Sequence, residues 1–246
     1  MKETCVVKYE LENPGFENVE FTESSKSFLI WPKAVKFAAD QNAVLQSLRE
    51  AAAFRIEAQG KDDADRYQAT RTGAIYFKDS NKFYVAFDEI PDAKENIVLA
   101  HAVDGYEANK KSREFLLSKK DKQIAQLLKR AEQSNRIVEV VESPIELATK
   151  ASDSSSEFGS NKTVQALFGD VAEPYAAMLE SRDFNKGFVY VLTPQNLDEH
   201  VAGDKALVRH VSLGDKYYSS IKYVYADSHF GNDCRARGVR NPSQFR

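Results

Sequence analysis

The chain has 246 residues, 42% of them hydrophobic and 29% charged, with a formal net charge of −3; this balance belongs to folded globular proteins and excludes disordered, collagen-like and disulfide-stapled classes. Its two cysteines, Cys5 and Cys234, are too few for a zinc-finger set or a disulfide framework, and no apolar run approaches the roughly 20 residues that span a bilayer. The start Met1-Lys2-Glu3-Thr4-Cys5 lacks the apolar stretch of a secretory signal, so a cytoplasmic location without a membrane partner is expected.

Cys5, Val7, Tyr9 and Leu11 alternate with more polar neighbours, Asn13-Pro14-Gly15 supplies a turn, and Val19, Phe21 and the run Phe28-Leu29-Ile30-Trp31 continue the strand character. A hairpin or meander is expected over residues 2–31. Residues 32–59 then change to a helical period, with Val35, Ala38, Ala39, Val44, Leu45, Leu48, Ala52 and Ile56 near one face and Gly60 just past the end. One long helix is predicted there. A hairpin follows, Ala74-Ile75-Tyr76-Phe77 and Phe83-Tyr84-Val85-Ala86-Phe87 joined by Lys78-Asp79-Ser80-Asn81-Lys82.

Residues 95–135 are helical in character, broken near Asp104-Gly105 and near Ser118, where Ser118-Lys119-Lys120-Asp121 reads as a variant capping box. Residues 136–142 return to strand character, and Ser143-Pro144-Ile145-Glu146 predicts a short helix. The serine-rich stretch 151–160 reads as a loop or linker between an α+β domain, 1–150, and a helix plus β-rich region, 161–246. In the latter, 162–180 reads as helix, and 188–192, 207–211, 221–225 and 236–239 as strands. The expected fold class is α+β: N-terminal strands packed on a long helix, a central helical region and a β-rich C-terminal region.

Charge is segregated along this chain. Residues 109–136 carry nine basic against three acidic side chains, 137–183 three against nine, and 205–246 eight against three. Three readings of the first basic face, with Lys110, Lys111, Arg113, Lys119, Lys120, Lys122, Lys129 and Arg130, stay open: a solvated helix surface, a nucleic-acid contact, or a contact to acidic segments of the same chain or of a neighbouring subunit. The C-terminal cluster is arginine throughout, and Arg235 and Arg237 share one face of an extended strand, with Arg240 beyond them. With Tyr217, Tyr218, Tyr223, Tyr225 and Phe230 nearby, a basic and aromatic surface for a protein partner or single-stranded nucleic acid is one reading, and cross-strand aromatic pairing is the other.

Catalytic patterns fall short. Glu157-Phe158-Gly159-Ser160-Asn161-Lys162-Thr163 ends like a phosphate-binding loop but has Asn161 and Ser156 where that motif needs glycine. Asp79 with Asp92-Ala93-Lys94 loosely matches a metal-dependent nuclease pattern, which Pro91 argues against. The four histidines lack metal-ligand spacing. His210, His229, Asp233 and Cys234 are nevertheless the candidate catalytic residues, a set that a β-rich fold could gather for metal-assisted hydrolysis or a Cys-His nucleophile. No cofactor is called for.

Cys234-Arg235-Ala236-Arg237-Gly238-Val239-Arg240 resembles the closing strand of C-type-lectin-like domains of bacteria and phages, over seven residues and without carrying a binding residue across. Three functions follow as expectations. The first is a non-enzymatic interaction or structural protein, phage- or bacteria-encoded, that forms a homo-oligomer or meets a protein partner through complementary charged segments and aromatic-rich strands. The second is nucleic-acid binding through 110–136 and 235–246, and the third a hydrolase or nuclease using the C-terminal histidines and Cys234.

Overall fold

The structure, a computed structural model, describes residues 19–58, 66–77, 83–86, 115–118, 137–140, 155–182, 186–192, 205–215, 221–228, 231 and 234–240. In chain order these form β1 (Glu20–Phe21), α1 (Trp31–Ala39), β2 (Val44–Leu45), α2 (Leu48–Ala58), β3 (Gln68–Phe77), β4 (Phe83–Ala86), β5 (Phe115–Ser118) and β6 (Ile137–Val140). Then come α3 (Ser155–Ser160), α4 (Lys162–Phe168), a 3-10 turn (Gly169–Val171), α5 (Ala172–Ser181), β7 (Lys186–Tyr190), β8 (Lys205–Asp215), β9 (Ile221–Ser228) and β10 (Gly238–Arg240). The chain is an α+β protein. No described helix is long and apolar enough to cross a membrane.

β8 is the spine of the larger sheet. One of its edges pairs antiparallel with β3, while the other takes β5 against residues 205–208 and β9 against residues 210–215. β4 and β6 extend the sheet beyond β3, and β7 adds to β9 in parallel, giving the path β6-β4-β3-β8-β9-β7. A second, small sheet has the order β1-β10-β2. Strand side chains alternate between faces, and the two faces of the large sheet are covered differently. Ala74, Tyr76, Leu207, Val211, Leu213, Val224 and Ala226 form one apolar cluster with α2, α4 and α5. Ile75, Phe77 and Val208 point the other way, into a cluster with Trp31, Ala34 and Ala38 of α1 and with Cys234 and Ala236. Hence α1 and α5 lie on opposite sides of the sheet. The larger cluster draws Phe21 and Phe54 together with Phe168 and Tyr175 from beyond the serine-rich segment 151–160 and with Phe158 from within it.

The predicted hairpin pairs as expected, Gly73 with Ala86 through Tyr76 with Phe83, and the late strands fall where the hydrophobic runs placed them. The long helix over 32–59 is instead two helices. Asn42 adopts the left-handed conformation at φ 53°, which asparagine tolerates better than most residues, and the amides of Asp40 and Ala43 close the end of α1 on the carbonyls of Lys36 and Ala38. Val44 and Leu45 are thereby released to pair with β10. The chain restarts as α2 through a capping box: the Glu50 amide donates to Ser47 Oγ at 3.1 Å and the Ser47 amide to Glu50 Oε2 at 2.6 Å.

Four further expectations change. The run Phe28-Leu29-Ile30-Trp31 makes one bridge, Leu29 with Cys234, before Trp31 opens α1. Phe115, Leu116 and Leu117 are a strand on β8 rather than helix, because β8 offers them an edge, and Ser118 ends that strand opposite Lys205 rather than capping a helix. Residues 155–160 of the expected loop are helix α3, where Gly159 lets α5 come close: a Cβ there would meet the Ala176 methyl at 2.9 Å. The helix over 162–180 is broken at Gly169, φ 57°, into α4 and α5. The helices expected elsewhere in 95–135 and at 143–146, and the strand at 5–11, lie outside the described residues.

Candidate functional site

Residues 234–240 run as an extended ribbon between the N-terminal segment and β2–β3, bonded on both edges. Leu29 and Cys234 exchange both backbone bonds at 2.7 and 2.9 Å, Ser25 donates to Ala236 at 2.8 Å, and Thr22 to Gly238 at 2.9 Å. On the other edge Arg235 donates to Tyr67 at 2.8 Å, Ala69 to Arg235 at 2.9 Å, and Gln46 to Arg237 at 3.1 Å. This ribbon fixes the arginines. Arg235 donates from Nη1 to the Ser25 carbonyl at 2.5 Å and lies 4.8 Å from the Phe28 ring centroid. Arg237 donates to the Thr22 carbonyl at 2.9 Å and stacks 3.9 Å over Phe54. Arg240 grips Glu20 through two bonds of 2.8 and 2.7 Å. Arg235 and Arg237 are therefore buried, where their donor forks serve backbone carbonyls, and the basic surface expected from them turns inward. Gln46 is a hub of the same frame: its carbonyl accepts from the Arg71 amide at 2.9 Å, and its side-chain amide donates to Gln68.

His210 and Cys234 are both fully buried. His210 sits 6.2 Å from Trp31 between ring centroids, with Nδ1 3.4 Å from the Val211 carbonyl; Cys234 is part of the apolar layer under α1. Neither is open to a substrate from solvent in this fold. His229 and Asp233 lie outside the described residues, as do Lys110, Lys111, Arg113, Lys119, Lys120, Lys122, Lys129 and Arg130. Among the described residues no group of three or more His, Cys, Asp or Glu could hold a metal ion. The phosphate-loop-like segment has a structural use: Asn161 Oδ1 caps α4 by accepting from Thr163 and Val164 at 2.9 and 3.3 Å.

The aromatic strands pack against one another. Tyr190 and Tyr225, opposite each other across parallel β7 and β9, stack at 5.1 Å and 5°, and Tyr67 meets Tyr225 edge-on at 5.4 Å. Tyr67 lies across Gly214, where a Cβ would fall 2.1 Å from its ring. Its hydroxyl closes a ring with Ser212 at 2.7 Å and Ser228 at 2.9 Å, themselves 2.6 Å apart. Burial holds the Tyr67 phenol well above its ordinary range, with Cys234 adding to the shift, so it stays a neutral donor and acceptor. Three mutually bonded hydroxyls leave Tyr67 locked in place, a packing role that the alternation of tyrosines alone does not reveal.

What remains for recognition is the outer surface. Phe28 is 42% exposed, in a stretch that also exposes Lys26 and Lys33. Lys36 is paired with Asp40 at 2.9 Å, and an exposed Glu23 offsets part of the positive charge. The helical layer of α3–α5 exposes Glu157, Asp170, Glu173 and Glu180, with Lys162 as the basic exception. These carboxylates belong to the acidic segment 137–183. Phe28 escaped the sequence reading because it sat inside an expected strand.

The C-terminal ribbon thus returns to lock the N-terminal segment beside the large sheet, and a comparison with solved structures shows a fold shared with a C-type lectin fold. A solved structure described as the accommodation of massive sequence variation in Nanoarchaeota by the C-type lectin fold matches with a TM-score of 0.60 at 10% identity, covering 91% of this chain and 98% of its own. No protein-family model and no curated protein sequence matches the chain.

Proposed function

We propose that this is a non-enzymatic interaction protein that assembles with further copies of itself through oppositely charged faces. One observation carries the reading: the α3–α5 layer exposes Glu157, Asp170, Glu173 and Glu180 with Lys162 as its basic exception, while the stretch leading into α1 exposes Lys26, Phe28 and Lys33. Complementary patches steer association and fix register. The interior supports the same reading, because His210 and Cys234 are sealed and Arg235, Arg237 and Arg240 are engaged within the chain. For the Nanoarchaeota structure the fold is described as accommodating massive sequence variation; here it supplies a bonded frame that carries recognition on its outside.

The test is absolute mass by light scattering after size exclusion, at low and high salt, with absorbance followed at 260 and 280 nm. The expected result is a multiple of 27.7 kDa that falls towards the monomer as salt screens the contact. A monomer in both buffers overturns the reading. A monomer carrying nucleic acid that salt removes overturns it in favour of nucleic-acid binding through 110–136.

A further inference from the structure

We infer that Arg235 and Phe28 form a binding site for an organic carboxylate with an aromatic body, held by the guanidinium and gated by the phenyl ring. Arg235 is a buried cation that the chain leaves without a carboxylate. Arg71 is matched by Glu50 and Arg240 by Glu20, whereas Arg235, 8% exposed, has among the described residues the Ser25 carbonyl and the Phe28 ring as its side-chain partners. Its Nε is buried with no hydrogen-bond partner. A guanidinium presents five N–H donors in a planar fork, and here Nη1 alone makes a bond among the described residues. The free edge, Nε with Nη2, is the one that receives both oxygens of a carboxylate, and a buried charge is stabilised by an opposite one.

The two members of the site differ in mobility. The guanidinium stands on a ribbon bonded along both edges, and its Nη1 is fixed on Ser25, so little freedom is lost when it takes a ligand. Ser25 Oγ donates to the Ser27 carbonyl at 2.8 Å, which shapes the bend that brings Phe28 back over Arg235. Phe28 is the outer partner: 42% exposed, its ring lies 4.8 Å from the guanidinium carbon, and no other ring stacks on it among the described residues. An exposed side chain changes rotamer in picoseconds to nanoseconds. A fixed cation therefore lies behind a movable ring. Small ions of the solvent gain nothing from displacing that ring, but an acid with an aromatic body regains the contact by packing on Phe28 while its carboxylate enters the fork.

The experiment follows the arginine Nε–H resonances of the full nitrogen-15-labelled chain by nuclear magnetic resonance, at constant ionic strength in sodium chloride, during titration with acetate, phenylacetate, phenylacetamide and a short peptide ending in phenylalanine. The Arg235 signal is the one missing from Arg235→Lys, and unchanged Trp31 fluorescence and far-ultraviolet circular dichroism establish that the variants are folded. Phenylacetate should move this signal saturably and about tenfold more tightly than acetate, and phenylacetamide should not move it. Phe28→Ala, at an exposed position, should abolish the preference for phenylacetate over acetate and let chloride alone shift the signal. If the peptide binds more tightly than phenylacetate, the ligand is a chain end; if it does not, the ligand is a free acid, and either result upholds the site. A signal that no acid moves, in wild type and in Phe28→Ala alike, overturns the site, as does an amide that acts like the acid. Equal binding of acetate and phenylacetate by the wild type overturns the part given to Phe28 and with it the aromatic class. None of these outcomes bears on self-assembly, which is read from mass.

Discussion

Replacing Glu50 by glutamine should destabilise the fold far more than an ordinary surface ion pair would allow. Residues 70–72 leave the β3–β8 ladder at the register shift between Ala69 and Gly73, and their polar groups are taken up by the start of α2. The Arg71 amide donates to Gln46, Thr72 Oγ1 accepts from the Leu48 amide at 2.9 Å, and Thr70 Oγ1 donates back to Val211 at 2.5 Å. The Arg71 guanidinium reaches Glu50 at 2.9 and 3.0 Å and the Leu45 carbonyl at 2.5 Å, with both charged side chains less than a tenth exposed. The substituted amide would keep an acceptor for the Ser47 amide, so the capping box survives. The Arg71 charge would remain buried without its counter-charge, which costs about 3–5 kcal/mol. Ser47→Ala, which removes only the cap, should cost about 1 kcal/mol. Urea unfolding reports both, since the single tryptophan, Trp31, donates to the Thr70 carbonyl at 2.8 Å inside the same bulge. The double variant Glu50→Gln with Arg71→Met should lose less than the sum of its two single variants. A cost near 1 kcal/mol for Glu50→Gln, or simple additivity, would refute the reasoning.

Tyr67→Phe should cost about 1 kcal/mol, since Ser212 and Ser228 stay bonded to each other when the phenol is lost. Gly214→Ala should cost more, about 1–3 kcal/mol, because the new methyl occupies the Tyr67 ring position; urea midpoints giving the reverse order would contradict the packing described for that ring. Burial raises the Asp227 carboxyl above its ordinary value, against the opposing pull of Arg209. A raised acid favours the folded state fully below the unfolded value of about 3.9 and loses that contribution as pH rises through the folded value. Asp227→Asn should therefore be more stable than wild type at pH 7, with the gap closing towards pH 4; a gap that does not change with pH argues against it.

The strands of the last third were legible because each is a run of β-branched and aromatic residues bounded by polar turns, and β8 and β9 bury such runs. The split between α1 and α2 was not, because the apolar period runs on through Val44 and Leu45. What breaks the helix is pairing with Val239 and Gly238, nearly two hundred residues on. A local signal did exist in Ser47-Leu48-Arg49-Glu50, a full capping box inside the supposed helix. The fate of the arginines had no local signal. The carbonyls that receive Arg235 and Arg237 lie 210 and 215 residues away in sequence, and a two-residue period gives the shared face of a pair without saying whether that face is wet. The acidic segment was the reverse case: its carboxylates in α3–α5 stay exposed because the apolar positions of those helices account for the buried face.

The chain thus holds two populations of charge with different physics. Arg71, Arg235 and Arg237 are buried on fixed carbonyls, carboxylates or rings, where ions of the solvent barely reach them; Lys26, Lys33, Glu173 and Glu180 face water, where the Debye length of about 8 Å at physiological salt governs their reach. Salt separates the two. Its effect on the exposed set is to loosen any contact between copies, while the internal set keeps the frame folded. A titration with salt that lowers the assembled mass but leaves the Trp31 unfolding transition in place is the behaviour this division requires. If mass and unfolding moved together, the charges that hold the copies would have to be the same ones that hold the fold.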